Sequence, residues 1–277
     1  MRCSPRLEKR NRSRSVEQMA SLKKEYRRRV FGAYVRAGFQ PEPTNKEEAA
    51  RRSVRQFSAR ILPLLPKDRS ARILDLGCGQ GRFLRFLLDK GYYNVVGVDV
   101  SAEQVKLAHK VADSASVHQG NAFDYLASCE AADAIVALDL IEHFTKEEVL
   151  RFLEMVRERC KPGGVLILQT LNAMSPMGQR LRYQDFTHEV SFDPTGLANL
   201  LRLTGLEPVA FLECGPIVHG VKSAIRWAAW KLIRSLIMAY MLIETGTAGD
   251  KVYTQVMVAV AKKLAVASPQ RHGILTR

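Results

Sequence analysis

Four groups of residues in this chain have types and spacings that can do chemistry. The first is Arg72–Leu84, RILDLGCGQGRFL, where Asp75 is followed by Gly77, Gly79 and Gly81 at alternate positions. Glycine has no Cβ, so a strand–turn–helix unit of this kind lets a ligand approach the backbone closely. Asp75 sets the turn apart from a phosphate cradle, where further negative charge is unwelcome. Gly77-x-Gly79-x-x-Arg82 lacks the third glycine of a dinucleotide-binding turn, and no Gly-Lys-Ser/Thr follows as in a phosphate loop. The second is Asp99, 18 residues past Gly81 at the end of NVVGV. A carboxylate there can accept from two ribose hydroxyls, or simply cap the helix that starts near Ser101. The third is Asp139-Leu-Ile-Glu-His-Phe144, directly after an apolar run. The fourth is Arg182-Tyr-Gln-Asp-Phe-Thr-His188, inside the polar stretch Thr170–Ser191, which is too long for a simple connection.

The elements around these groups alternate. Strand patterns lie at Ile73–Leu76, Asn94–Val98, Val117–Gln119, Ala134–Leu138 and Val165–Leu168, with two more at Pro208–Leu212 and Val252–Ala261. Helical patterns separate them. Ala50, Val54, Phe57 and Ile61 follow an Asn45/Glu48 capping box, Phe83–Leu88 is closed by Gly91, Ser101 and Gln104 cap another helix, and Thr145 and Glu148 cap the one carrying Val149, Phe152, Leu153 and Val156. Asp193-Pro194 opens a helix that Gly205 ends. Strands alternating with helices of these lengths specify an α/β domain with helices on both faces of a parallel sheet. Groups one to three then fall at the C-terminal sheet edge, where open α/β folds bind ligands.

The frame Asp75-x-Gly77-x-Gly79-x-Gly81 resembles motif I of class I S-adenosylmethionine-dependent methyltransferases, and further matches follow in order. The resemblance implies a Rossmann-like, seven-stranded, mostly parallel sheet of order 3-2-1-4-5-7-6, with the last strand antiparallel and a helical insert before it. It implies S-adenosyl-L-methionine as cofactor. Asp75, Gly77, Cys78, Gly79 and Gly81 would cradle its amino-acid end, and Asp99 with Val100 its ribose. Asn121, Ala122 and Phe123 stand where the family faces adenine, although aspartate is commoner there. The Asn121 amide oxygen can accept from an exocyclic amine, and Phe123 would pack on the ring or in the core. Leu138, Asp139 and His143 would line the methyl-donor pocket; Glu142 reads equally as local packing. Asp139–Phe144 resembles the corresponding stretch of quinone-biosynthesis O-methyltransferases, and Arg182–Pro194 that of a bacterial subgroup associated with polysaccharide or lipid-linked sugar biosynthesis. Lys161-Pro-Gly-Gly is the family's turn before its fifth strand.

Because the sulfonium donor is already activated, such an enzyme mainly aligns donor and acceptor. A hydroxyl acceptor also benefits from a base near neutral pKa. His188 is the first candidate, oriented by Asp185 or Glu189, and His143 the second; alternatively His188 ties the loop to the sheet.

Charge is uneven. The net charge is +14 over 277 residues, and residues 1–44 hold 12 Lys/Arg against 4 Asp/Glu. That pattern indicates a basic, partly disordered arm over 1–44 with a helix at Val16–Ala37, followed by a catalytic domain over 45–263 and a flexible tail over 264–277. Five scattered cysteines form no CxxC pair, which favours a reducing compartment and gives no metal site. Neither a secretory leader nor a membrane span is expected. Within the insert at 214–250, Val221–Ile243 has no acidic residue, and Val221, Ile225, Ala228, Leu232, Leu236, Ala239 and Ile243 form one helical face. This face could meet an anionic membrane together with residues 1–36, pack on the domain, or form a homodimer seam. The expected partner is a small-molecule or lipid-linked acceptor, at a cytoplasmic location that extends to the inner face of a membrane. RNA or protein methylation through the basic arm is the competing enzymatic reading, weakened by the lack of an N/D-P-P-Y/F sequence after the fourth strand. A non-catalytic cofactor-binding subunit is the third.

Overall fold

A computed structural model describes residues 25, 29–33, 38 and 45–264. The arm expected over 1–44, with its helix at 16–37, and the tail expected over 264–277 lie largely outside the described residues. The order of elements is α1 (Lys46–Arg60), β1 (Ile73–Leu76), α2 (Arg82–Asp89), β2 (Val95–Asp99), α3 (Ala102–Val111), β3 (Ser116–Gln119), α4 (Ala122–Ser128) and β4 (Ala132–Leu138). Then follow α5 (Lys146–Arg159), β5 (Cys160–Leu171), α6 (Gly178–Gln184), α7 (Pro194–Leu203), β6 (Glu207–Glu213), α8 (Val221–Thr245) and β7 (Val256–Lys262).

The seven strands form one sheet of order β3-β2-β1-β4-β5-β7-β6. β1 to β5 run parallel, while β7 lies between β5 and β6 and is antiparallel to both. Every residue of β1 is buried because both faces of the sheet are covered. On one face Phe123 and Leu126 of α4, Phe152 and Val156 of α5 and Leu197 and Leu201 of α7 form the core. On the other, Phe83 and Leu87 of α2 and Val105 and Ala108 of α3 do so, with Ile61. Parallel pairing of Ile73 with both Val95 and Ala134 brings the ends of β1, β2 and β4 to one edge, and with them the glycine turn, Asp99 and Asp139.

Local signals account for most boundaries. Thr145 and Glu148 complete a reciprocal capping box on α5, and the Asp193 side chain caps α7 just before Pro194. At α1 the Asn45 side chain accepts from the Glu48 N–H at 2.9 Å, while the Glu48 carboxylate pairs with Arg55 at 2.8 Å. Among the described residues the C-terminal end of that helix is the packed one: Phe57 meets Phe83 at 5.0 Å between ring centres, whereas Ala50 and Val54 are exposed. Two expectations need correction. Thr170–Ser191 is not all loop, since Thr170 and Leu171 extend β5 and Gly178–Gln184 is helical. The last strand starts at Val256 rather than Val252, since Val252–Thr254 bend around buried side-chain bonds to Asn172.

The insert is a 25-residue helix, ended by Gly246 in the left-handed region at φ +76°. Its expected apolar face is present but turned outward: Val221 is 79% exposed, Leu232 64% and Ile243 86%. What faces the domain is Ser223, Trp230, Arg234 and Ile237, and Arg234 anchors the helix by pairing with Glu213 at 2.8 Å. The domain-packing alternative therefore does not account for the apolar face. Among the described residues no helix is long and apolar enough to cross a membrane.

Candidate functional site

The donor end of the site is built on backbone. The Gly79 N–H donates to one Asp99 carboxylate oxygen at 2.9 Å, and the Ser101 N–H to the other at 2.8 Å. Asp99 thus clamps the glycine turn to the end of β2 and helps start α3, joining the two roles its spacing allowed. Each oxygen keeps a lone pair for a ligand hydroxyl. Gly81 sits at φ +76°, and a Cβ there would come within 3.0 Å of the Ala108 backbone, so only glycine lets the turn close on α3. Gly79, at φ +52°, faces the other way: a Cβ would meet nothing nearer than 4.0 Å. The front of the turn is open for a ligand.

Asp75 lies beneath this opening at 2% exposure, and among the described residues its Oδ2 has no hydrogen-bond partner. Burial, and then the charge of Asp99, push its carboxyl up to about 8. A ligand that brings positive charge to the turn would relieve both effects. The orphaned oxygen and the open glycine face therefore fit the amino-acid end of a sulfonium amino acid.

The remaining donor-side residues divide by what they expose. Cys78 is buried, and burial raises its thiol, so it offers the turn only backbone. Gly77 is packed against Leu140, where a Cβ would come to 3.0 Å from Cδ1. Val100 is half exposed beside Asp99. The Asn121 amide oxygen caps α4 by accepting from the Phe123 N–H at 2.9 Å, so an adenine contact would have to share that oxygen. Ala122 is half-buried next to it. Phe123 packs against Phe144 and Phe152, which is the core alternative for this ring.

The acceptor end is built on side chains. Leu138 ends β4, and Asp139 follows it with φ +55°, a conformation uncommon outside glycine and asparagine. Gln169 Nε2 donates to both Asp139 oxygens at 3.1 and 3.0 Å. Asp139 is exposed on the cavity wall, yet the protein around it raises its carboxyl, against the pull of Gln169 and then of nearby His188. Glu142 is fully buried, accepts from the Thr170 hydroxyl at 2.9 Å, and is pushed up to about 8 by burial and then by Asp139.

His143 and His188 lie with ring centres 4.8 Å apart. Asp185 does not orient His188. Its Oδ1 accepts from both the Thr187 N–H at 2.8 Å and the Thr187 hydroxyl at 2.7 Å, and that hydroxyl lies 2.7 Å from His143 Nδ1. With the hydroxyl proton committed to Asp185, His143 Nδ1 is the donor and its Nε2 an acceptor. His188 Nδ1 donates to the Leu181 carbonyl at 2.9 Å, which leaves its own Nε2 as acceptor. The Glu189 carboxylate is not placed as an orienting group; its backbone N–H, with that of Val190, binds the Glu142 carbonyl and ties the loop to the sheet edge. Arg182 holds the His188 and Glu189 carbonyls from the other side. Sequence reasoning singled out neither Thr187 nor Gln169; the spacing Asp185-x-Thr187, which suits a local side-chain turn, was a usable signal for the first, and Gln169 carried none.

Beyond Asp139 and Gln169 a cavity of about 890 Å³ runs between α1 and α8, within the usual size for a small-molecule site. Among the described residues no group of acidic, histidine or cysteine side chains is placed to hold a metal ion.

Known proteins share this architecture. Residues 47–210 match the family model described as "Methyltransferase domain". A ubiquinone biosynthesis O-methyltransferase of Cereibacter sphaeroides is 31% identical over 153 residues, covering 50% of this chain and 61% of that one. One from Azorhizobium caulinodans is 35% identical over 123 residues, covering 43% and 47%. The matched stretch thus spans about half to three-fifths of the length of these relatives. In fold, the chain is similar to a SAM-dependent methyltransferase of Archaeoglobus fulgidus, with a TM-score of 0.57 at 21% identity, over 77% of this chain and 94% of the other.

Proposed function

The chain belongs to the methyltransferase-domain family, and from this we propose that it methylates a hydroxyl of a small-molecule or lipid-linked acceptor with S-adenosylmethionine as donor. The single observation that carries the donor is the Asp99–Gly79 clamp beside an open glycine face, above the unpartnered Asp75 oxygen. When bound, the donor supplies an activated methyl on a sulfonium. Asp99 would accept from the ribose hydroxyls, Asp75 would balance the cationic end, and Asp139 would close the methyl side. At the acceptor, His188 Nε2 would take the hydroxyl proton, and His143, held by Thr187 and Asp185, lies beside it. The names of the matched relatives support an oxygen acceptor.

Isothermal titration with S-adenosylmethionine is the first test, followed by activity on a membrane lipid extract and on total RNA. His188→Ala is expected to lower turnover by roughly 100-fold with donor affinity intact; near-normal turnover at saturating acceptor removes it as the base. Signal on RNA alone would transfer the choice to the competing reading, which the charge of residues 1–44 favours. The outward apolar face of α8, flanked by exposed Lys222, Arg226 and Lys231, supports peripheral contact with an anionic bilayer. Flotation with anionic vesicles checks this, and no binding by the intact protein would favour a fully soluble acceptor.

A further inference from the structure

The cavity beyond Asp139 has two unlike walls. α1 contributes Arg52, Arg55 and Arg60, and α8 contributes Arg226 together with the apolar surfaces of Trp230 and Ile237. Among the described residues its only lining carboxylates are Glu48 and Asp139. Both already have partners: Glu48 pairs with Arg55 at 2.8 Å, and Asp139 accepts twice from Gln169. Arg60 is occupied as well, donating to the Cys214 and Gly215 carbonyls at 2.8 and 2.6 Å. That leaves Arg52 and Arg226, one on each wall, with no hydrogen bond or ion pair among the described residues. Arg52 lies near enough to Glu48 to help hold that carboxyl low, after the larger influence of Arg55. The cavity therefore presents two uncommitted guanidinium groups beside an apolar surface, with Asp139 and Gln169 in the same lining.

We propose that the acceptor is an amphipathic anion, with a phosphate or carboxylate held by Arg52 and Arg226 and an apolar body lying on Trp230 and Ile237. Guanidinium groups bind both anions through charge-assisted, often paired hydrogen bonds. Anchoring the anion on these arginines holds the rest of the molecule in the cavity that Asp139 lines. A neutral sugar or a bare quinol ring would leave both arginines unused. The inference rests on the methyl-transfer reading and specifies its acceptor.

Titration calorimetry with hexyl phosphate, heptanoate and uncharged 1-hexanol tests it, and the two anionic arms distinguish which anion the site takes. Both or either anion is expected to bind at least tenfold tighter than the alcohol, about 1.4 kcal/mol. R52Q/R226Q should abolish that preference, whereas R52K/R226K, which keeps the charge, should retain most of it. R51Q is the control, since Arg51 is exposed, pairs with Glu47 and does not line the cavity. Donor titration in the same samples monitors folding and separates the two readings. Intact donor binding with equal affinity for anion and alcohol, or a preference that survives R52Q/R226Q, overturns the amphipathic anion alone. Loss of donor binding in the wild-type protein would instead overturn methyl transfer.

Discussion

At the donor end Asp99 is positioned by two backbone N–H groups, whereas at the acceptor end His143 is positioned by Thr187 and Asp185, more than 40 residues away along the chain. The first arrangement follows once β1 and β2 pair, because strand ends and a glycine turn leave the backbone few alternatives. The second depends on a long loop folding back and being tied down at the Glu142 carbonyl. One end is thus fixed by the sheet and the other by side chains that a related chain could exchange, which is how a shared donor site serves different acceptors.

This contrast can be broken by mutation. The largest effect is expected from Asp99→Ala, which removes charged acceptors for two ribose hydroxyls and releases the Gly79 and Ser101 N–H groups. At ~1.5–3 kcal/mol for each hydrogen bond to a charged group, donor affinity should fall by roughly 100-fold or more. Calorimetry showing unchanged affinity would place the donor elsewhere. Thr187→Val should reduce turnover about tenfold without changing donor affinity, and adding His143→Ala should cost little more, because both act through one chain of bonds. Fully additive losses would show that Thr187 serves only the loop.

Glu142 gives a pH-dependent version of the same test. Its folded pKa of about 8 lies above the ordinary value of 4.5, so the folded protein holds a proton that the unfolded chain has lost. This stabilises the fold most below about 4.5, and the contribution disappears as pH rises through 8. Glu142→Gln keeps an oxygen for Thr170 and removes the ionisation. Its melting temperature should change less between pH 5 and 8.5 than that of the wild type; parallel profiles would mean that Glu142 is ionised throughout. The smallest effect on stability is expected for L232S/L236S on the outer face of α8, within ~0.5 kcal/mol as for other surface changes. The same variant should lose capture by anionic vesicles if the face meets lipid.

The donor end was legible because its signals are local. The glycine frame, the spacing to Asp99 and the alternation of strands with capped helices are all read over short stretches of chain; they specify a parallel sheet covered on both faces, and the strand order followed from the family resemblance they carry. The acceptor end depends on pairings across the chain. Nothing in Asp185-Phe-Thr187 says that the threonine meets His143, and nothing in α1 says that its arginines face α8 across a cavity. For α8 periodicity identified an apolar face but could not say what it faces. Apolar spacing records that a surface avoids water; it does not name the neighbour, and here the domain took the other side of the helix.

The chain has two tryptophans, Trp227 and Trp230, and one turn of α8 separates them. Trp227 is 44% exposed, while Trp230 packs at the cavity wall, its indole nitrogen 3.1 Å from where a Gly215 Cβ would stand. Residues three apart share one side of a helix, so the two rings are neighbours that differ in exposure, not in face. With Trp227→Phe in place, a blue shift in emission would report filling of the cavity at Trp230. With Trp230→Phe in place, the same shift would report covering of the exposed Trp227 ring. Recorded in turn, the two signals would reveal whether the two indoles are shielded together or in sequence.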